Sequence, residues 1–220
     1  MKLSEQTIAI LKNAADINPS LFIKGGNLQK TRAVAGNIHM EFTSEESFPQ
    51  DFGVWDLPSL ISMLTLFEDA EIEFGDFSLT INKDESQFEF FAANEEIVKP
   101  VTSSIPTYKS LFEFQLSSND IKTIKKTSGI LKAKAISFIG DGKEVYLSVG
   151  DHTTSTKNTY RQLLGTSDNV FAYHLDISVF KIIDSDYKVN IAKTRRFIHI
   201  ASEVIDLDYV LACLSDSSEG

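Results

Sequence analysis

The chain has 220 residues, 42% hydrophobic with sixteen Phe, and a formal net charge of −10. That supplies apolar side chain for one large core or two smaller ones, and 24% charged residues with five prolines exclude a disordered polymer. The single cysteine, Cys213, excludes an intrachain disulfide and a cysteine-rich zinc site, and a pI near 4.9 argues against nucleic acid unless positive charge is segregated onto one surface. No signal-like N-terminus and no apolar run of about 18 residues occurs, so a soluble intracellular protein without a membrane partner is expected.

The first predicted element is a helix over residues 4–15, capped by Ser4, with Thr7, Ile8, Leu11 and Ala15 on one side and Glu5 and Lys12 on the other. Asn18-Pro19 ends it. Strands follow at Leu21–Lys24, Leu28–Val34 and Ile38–Thr43, turning at Gly25-Gly26-Asn27 and near Gly36-Asn37. A polar stretch, Ser44–Gln50, leads to a strand at Asp51–Trp55. A second helix then runs to Phe67, with Asp56 as cap, Pro58 in the first turn and Leu60, Ile61, Leu64 and Phe67 as its apolar stripe. Strands at Ala70–Phe74, Phe77–Asn82 and Gln87–Ala92 complete a first domain, 1–92. Residues 93–109 show no period; Pro100 and Pro106 bracket a polar stretch that reads as an interdomain connector.

The pattern then restarts in a second domain, 110–220. Leu116-Ser117, Ile121 and Ile124-Lys125 repeat Leu3-Ser4, Ile8 and Leu11-Lys12 at an offset of 113 residues. Strands at Ala135–Gly140 and Glu144–Gly150 flank Asp141-Gly142, a type I′ hairpin signal. Val170–His174 followed by a helix over Leu175–Ile183 repeats the strand-then-helix unit of the first half. Strands at Tyr187–Ala192, Arg196–Ser202 and Val204–Cys213 close the chain. An internal duplication with few helices and many antiparallel strands predicts an α+β fold of two tandem similar domains.

The helix from Ser117 to Gly129 carries the one charge anomaly. Ser117 or Ser118 caps it, Asp120 suits its first turn, and Ile121, Ile124 and Ser128 share one stripe. Lys122, Lys125 and Lys126 share the next. Residues 117–134 hold five lysines and one acid, a local net of +4 in a chain whose remainder sums to −14. Like charges at i, i+4 repel unless an external anion answers them, and Lys12 recurs at the position of Lys125.

Other candidate chemistry is thinner. Gly140-Asp141-Gly142-Lys143 lacks the spacing of a phosphate loop and enters a strand. His39, His152, His174 and His199 stand alone, without a second ligand at helical spacing. The pairs Asp184/Asp186 and Asp206/Asp208 offer two carboxylates on one strand face and leave a metal-dependent hydrolase as an alternative; an acidic DNA mimic is another. No nucleophile has a recognisable partner, so a non-enzyme without cofactor is favoured.

Met1-Lys2-Leu3-Ser4, Leu11-Lys12-Asn13, Ile17-Asn18, Thr31-Arg32-Ala33-Val34, Gly36, Trp55-Asp56-Leu57, Leu64, Leu66 and Asp69-Ala70-Glu71-Ile72 together resemble the DNA polymerase processivity clamp, or sliding clamp, of T-even-type tailed bacteriophages. The resemblance implies a DNA clamp fold with six domains per ring, helices lining the hole and antiparallel sheets outside, hence a homotrimer around duplex DNA. Helices 4–15, 57–67, 118–128 and 175–183 would face the hole, with Lys12, Lys122, Lys125, Lys126 and Lys181 facing phosphate. It also implies an ATP-dependent clamp loader, tethering of the phage polymerase by its C-terminal peptide, and late-transcription coactivators, all in the cytoplasm of an infected bacterial host. Phe91, Val101, Ile105 and Tyr108 are the candidates for the partner-peptide pocket.

Overall fold

The computed structural model describes every residue of the chain except Glu68, Ser155 and Thr156. The chain forms two compact units, 1–104 and 105–220. Among the described residues no helix is long and apolar enough to cross a membrane.

In the first unit, helix α1 (Glu5–Ile17) starts where the Ser4 hydroxyl accepts from the Thr7 amide at 3.1 Å. The Glu46 carboxylate accepts from the Ser4 amide (2.5 Å) and the Thr7 hydroxyl (2.6 Å), placing negative charge at the positive end of the helix dipole. The buried stripe is Thr7, Ile10, Leu11, Ala14 and Ile17, at i, i+3, i+4, i+7 and i+10. Ile8 and Ala15, expected on that stripe, lie half-buried on its flanks.

Strand β1 (Leu21–Ile23) pairs antiparallel with β4 (Phe52–Val54), and β2 (Gly26–Arg32) with β3 (Ile38–Phe48). β3 runs through part of the stretch read as a polar connection. Ser44 is buried there because its hydroxyl donates to the Asn27 and Glu46 carbonyls, so its polarity is satisfied inside the sheet. Helix α2 (Leu57–Leu66) begins at Asp56, whose carboxylate accepts from the Ser59 amide at 3.0 Å, and buries Leu57, Leu60, Ile61 and Leu64. Strands β5 (Glu71–Phe74), β6 (Ser78–Lys83) and β7 (Ser86–Phe91) form an antiparallel meander in which β7 is an edge.

In the second unit, β8 (Ser110–Leu116) leads into helix α3 (Ser118–Leu131). Ser117 and Asp120 form a reciprocal capping box. The helix passes Gly129, its predicted end, and stops at Lys132, which takes the left-handed conformation (φ +48°) usually left to glycine. Strands β9 (Ala135–Asp141), β10 (Glu144–Gly150), β11 (Tyr160–Thr166), β12 (Val170–Asp176) and β16 (Ser218–Glu219) form one antiparallel sheet in the order β11-β10-β9-β12-β16. Strand β13 (Tyr187–Ala192) takes β8 on one side and β14 (Phe197–Ser202) on the other, and β14 pairs with β15 (Leu207–Ala212). Tyr187, Tyr209, Phe138 and Leu147 are fully buried between these layers.

Two predictions fail here. The β9–β10 hairpin turns on Gly142-Lys143, not Asp141-Gly142: Asp141 accepts from the amides of Lys143 and Glu144, and only Gly142 has positive φ (+87°), the pattern of a II′ rather than a I′ turn. The helix expected over Leu175–Ile183 is instead the end of β12 and a single 3₁₀ turn, Ile177–Val179. Asp176 does cap it, accepting from the Ser178 amide at 2.8 Å, but the β-branched Ile177, Val179, Ile182 and Ile183 disfavour propagation.

Candidate nucleic-acid interface

Burial of Ile121, Ile124 and Ser128 turns the neighbouring stripe of α3 outward, so Lys122, Lys125 and Lys126 are all exposed. The only acid on the helix is not available to neutralise them. Asp120 is committed to the cap and to Gln162, whose amide donates to it at 2.9 Å. Burial pushes its carboxyl pKa up, but hydrogen bonds from Ser117 and Gln162 outweigh that and hold it below the ordinary range.

The three lysines are not equivalent. Lys125 Nζ donates to the Ile182 carbonyl and to Asp184, both at 2.6 Å, so it acts as a strut between α3 and the segment following the 3₁₀ turn. No ion pair among the described residues engages Lys122 or Lys126. In the first unit, Lys12 projects from the exposed side of α1. Lys181 is exposed two residues after the 3₁₀ turn rather than on a helix.

The predicted peptide-pocket residues divide between the two units, and within the first unit Phe91 and Val101 are not brought together. Val101 lines a cleft of about 810 Å³ in the first unit with Phe22, Lys30, Arg32, Trp55 and Ile97. Trp55 is 62% exposed there, a large aromatic left in water at the junction of β4 and α2. Phe91 lies elsewhere, on the edge strand β7, and is 68% exposed. Ile105 and Tyr108 belong to the second unit. Tyr108 is engaged internally: its hydroxyl is 2.6 Å from His199 Nδ1, and its ring meets Phe197 edge-on at 5.2 Å. Burial, with the Asp208 and Glu113 charges, pushes its phenol pKa up. Trp55, Ile97, Lys30 and Arg32 escaped the sequence reading; the lone Trp beside a helix cap was the available signal.

The aspartate pairs do not converge either. Asp184 holds Lys125, Asp186 accepts from the Ser118 amide at 2.7 Å, and Asp208 accepts from His199 Nε2 at 2.7 Å. Among the described residues no group of three or more His, Cys, Asp or Glu is placed to hold a metal. The histidines, read as isolated, include one pair: His152 and His174 stack with ring centroids 4.3 Å apart. β9 pairs with both β10 and β12, which sets the turn carrying His152 beside His174, 22 residues on, and no local spacing could signal that.

The chain and its fold resemble those of known proteins. No protein-family model matches the chain. It is 31% identical over 213 residues, 92% of this chain and 96% of the relative, to the sliding clamp of Vibrio phage KVP40. The chain belongs to the phage sliding-clamp family. The sliding clamp of Escherichia phage RB69 is 29% identical, with 99% of each chain covered. A. fulgidus PCNA, solved with the C-terminal region of FEN-1 bound, superposes with a TM-score of 0.72 at 10% identity, covering 99% of this phage clamp and 98% of that chain. The phage clamp therefore has the two-domain DNA clamp fold, and a sliding clamp is a processivity factor rather than an enzyme.

Proposed function

We propose that three copies of this clamp close head to tail into a ring around duplex DNA and tether the phage polymerase. The observation that carries the reading is the unneutralised pair Lys122 and Lys126 on α3, in a chain of net charge −10. Lysines turned toward a central hole attract phosphate without reading sequence, while the acidic remainder repels DNA from every other face. Lys12 of α1 and Lys181 add to the lining. Lys125 contributes less, because Asp184 already answers its charge.

Closure needs a seal. β7 in the first unit and β11 in the second are both edge strands, with Phe91 and Leu163 exposed. An edge of one copy pairing with the other edge of the next makes a heterologous interface, and three such interfaces close. On this reading Phe91 belongs to the seal. The cleft beside Val101 and Trp55 takes an extended partner peptide, with the aromatic as anchor. The polymerase C-terminal peptide is the first occupant, and the late-transcription coactivators share the cleft. An ATP-dependent loader opens the ring in the host cytoplasm.

The test is loader-dependent primer extension with Lys122→Glu/Lys126→Glu. Product length is expected to fall at least about tenfold, the effect of replacing attraction by repulsion at two phosphate contacts in each copy. Trimer mass should stay unchanged. Wild-type product length from the variant would overturn the lining.

A further inference from the structure

After β15 the chain turns back across β12. The Leu214 amide donates to the His174 carbonyl (2.7 Å), the His174 amide to the Ser217 hydroxyl (2.9 Å), and the Gly220 amide to the Val170 carbonyl (2.8 Å). Between these, β16 adds two residues to the sheet, Ser218 opposite Ala172 and Glu219 opposite Phe171. Backbone pairing this short does not hold a strand by itself. Two side-chain anchors supplement it. The Glu219 carboxylate accepts from the Tyr173 hydroxyl and from the amide of Thr194, a non-glycine residue at φ +61°. Asp216 accepts from His152 Nε2 at 2.8 Å, and His152 stacks on His174 with 23° between ring planes.

The second anchor depends on the His174 ring being neutral. His174 Nδ1 pairs with the Ser137 hydroxyl at 2.8 Å. His152 Nε2 is committed to Asp216, and its Nδ1 is buried without a hydrogen-bond partner. Asp216 already answers His152, so a charge on the half-buried His174 ring, 4.3 Å from that of His152, has no carboxylate of its own. The other charged groups nearby are already engaged. Asp151 is held by Lys157 and Lys134, and Asp176 of β12 caps the 3₁₀ turn. Ser137 of β9 does not titrate in this range, and burial pushes the Cys213 thiol up to about 12. We propose that residues 214–220 are a strap fastened over β12 by the stacked His152–His174 pair, and that protonation of His174 within the stack releases the strap and uncovers β12 as an open strand edge.

The sign follows from linkage. Burial, then the neighbouring His152, lowers the pKa of His174 below its ordinary 6.5, so the fastened form prefers it neutral. That preference is fully present above 6.5 and is lost as the pH falls below it, because the released strand takes up the proton. Asp216, held low by His152, stays ionised through this window.

Hydrogen exchange of the full chain tests the strap, with each amide corrected for its intrinsic rate. Protection at Leu214, Ser217 and Gly220 is expected to fall about tenfold between about pH 7.5 and about pH 5.5, while amides of β9 keep theirs. His174→Phe, which keeps a stacking ring but no titrating group, should flatten the dependence. Asp216→Asn should lower protection at both pH values. Equal wild-type protection at the two pH values, an unchanged drop in His174→Phe, or a parallel loss across β9 would each overturn the proposal.

Discussion

Helix α2 and the turn Ile177–Val179 hold corresponding places in the repeat, each after a strand and each capped by an aspartate, yet one runs ten residues and the other three. The cap does not decide the length. In α2 a proline sits in the first turn, and Leu57, Leu60, Ile61 and Leu64 recur on one face, so each added turn buries more apolar surface. After Asp176 four β-branched residues lose rotamer freedom in a helix, and the segment 182–186 is fixed instead by α3, through Lys125 and the Ser118 amide. Capping starts a helix; a buried face extends it. The two other helices, α1 and α3, are alike in both respects.

The sharpest way to break this comparison is to remove the buried face. Leu57→Ala should destabilise the chain by about 2–5 kcal/mol in denaturant unfolding, and a cost below about 1 kcal/mol would mean that propensity rather than packing holds α2. Glu46→Ala, which removes the carboxylate from the start of α1, should cost about 1.5–3 kcal/mol. Burial works against the Glu46 charge, but hydrogen bonds from Thr7 and Ser4 outweigh it and lower its pKa from 4.5. Its contribution is therefore present above that value and lost as the pH falls through the lowered one, a window separate from that of His174.

Ser117→Ala removes one half of the capping box on α3 and should cost about 1 kcal/mol, read from the same unfolding curves. The smallest effect belongs to Lys125→Met. Its ion pair with Asp184 is more than a third exposed, so the loss should stay under about 1 kcal/mol. Exchange at the segment after the 3₁₀ turn should nevertheless quicken while α3 itself is unchanged. A uniform loss along α3 would show that Lys125 supports the helix rather than the segment.

What was legible in the sequence was local. Ser4, Ser117 and Asp56 announced three helix starts, and the 121–124–128 spacing announced which lysines face outward. Alternation placed most strands. β8 and β11 were missed because Ser110–Leu116 follows a proline-rich stretch and Tyr160–Thr166 carries a bulge opposite Val145 and Tyr146. The Trp55 cleft, the Lys125–Asp184 strut and the His152–His174 stack were not legible. Each joins residues that only chain reversal brings together.

On the proposed reading the clamp stays on DNA because it surrounds it. The direct measurement is retention of loaded clamp on a nicked circular plasmid, followed by one restriction cut. The protein is expected to co-elute with the circle and to depart on linearisation. Retention unchanged by the cut, or equal binding to short linear duplexes, would contradict it.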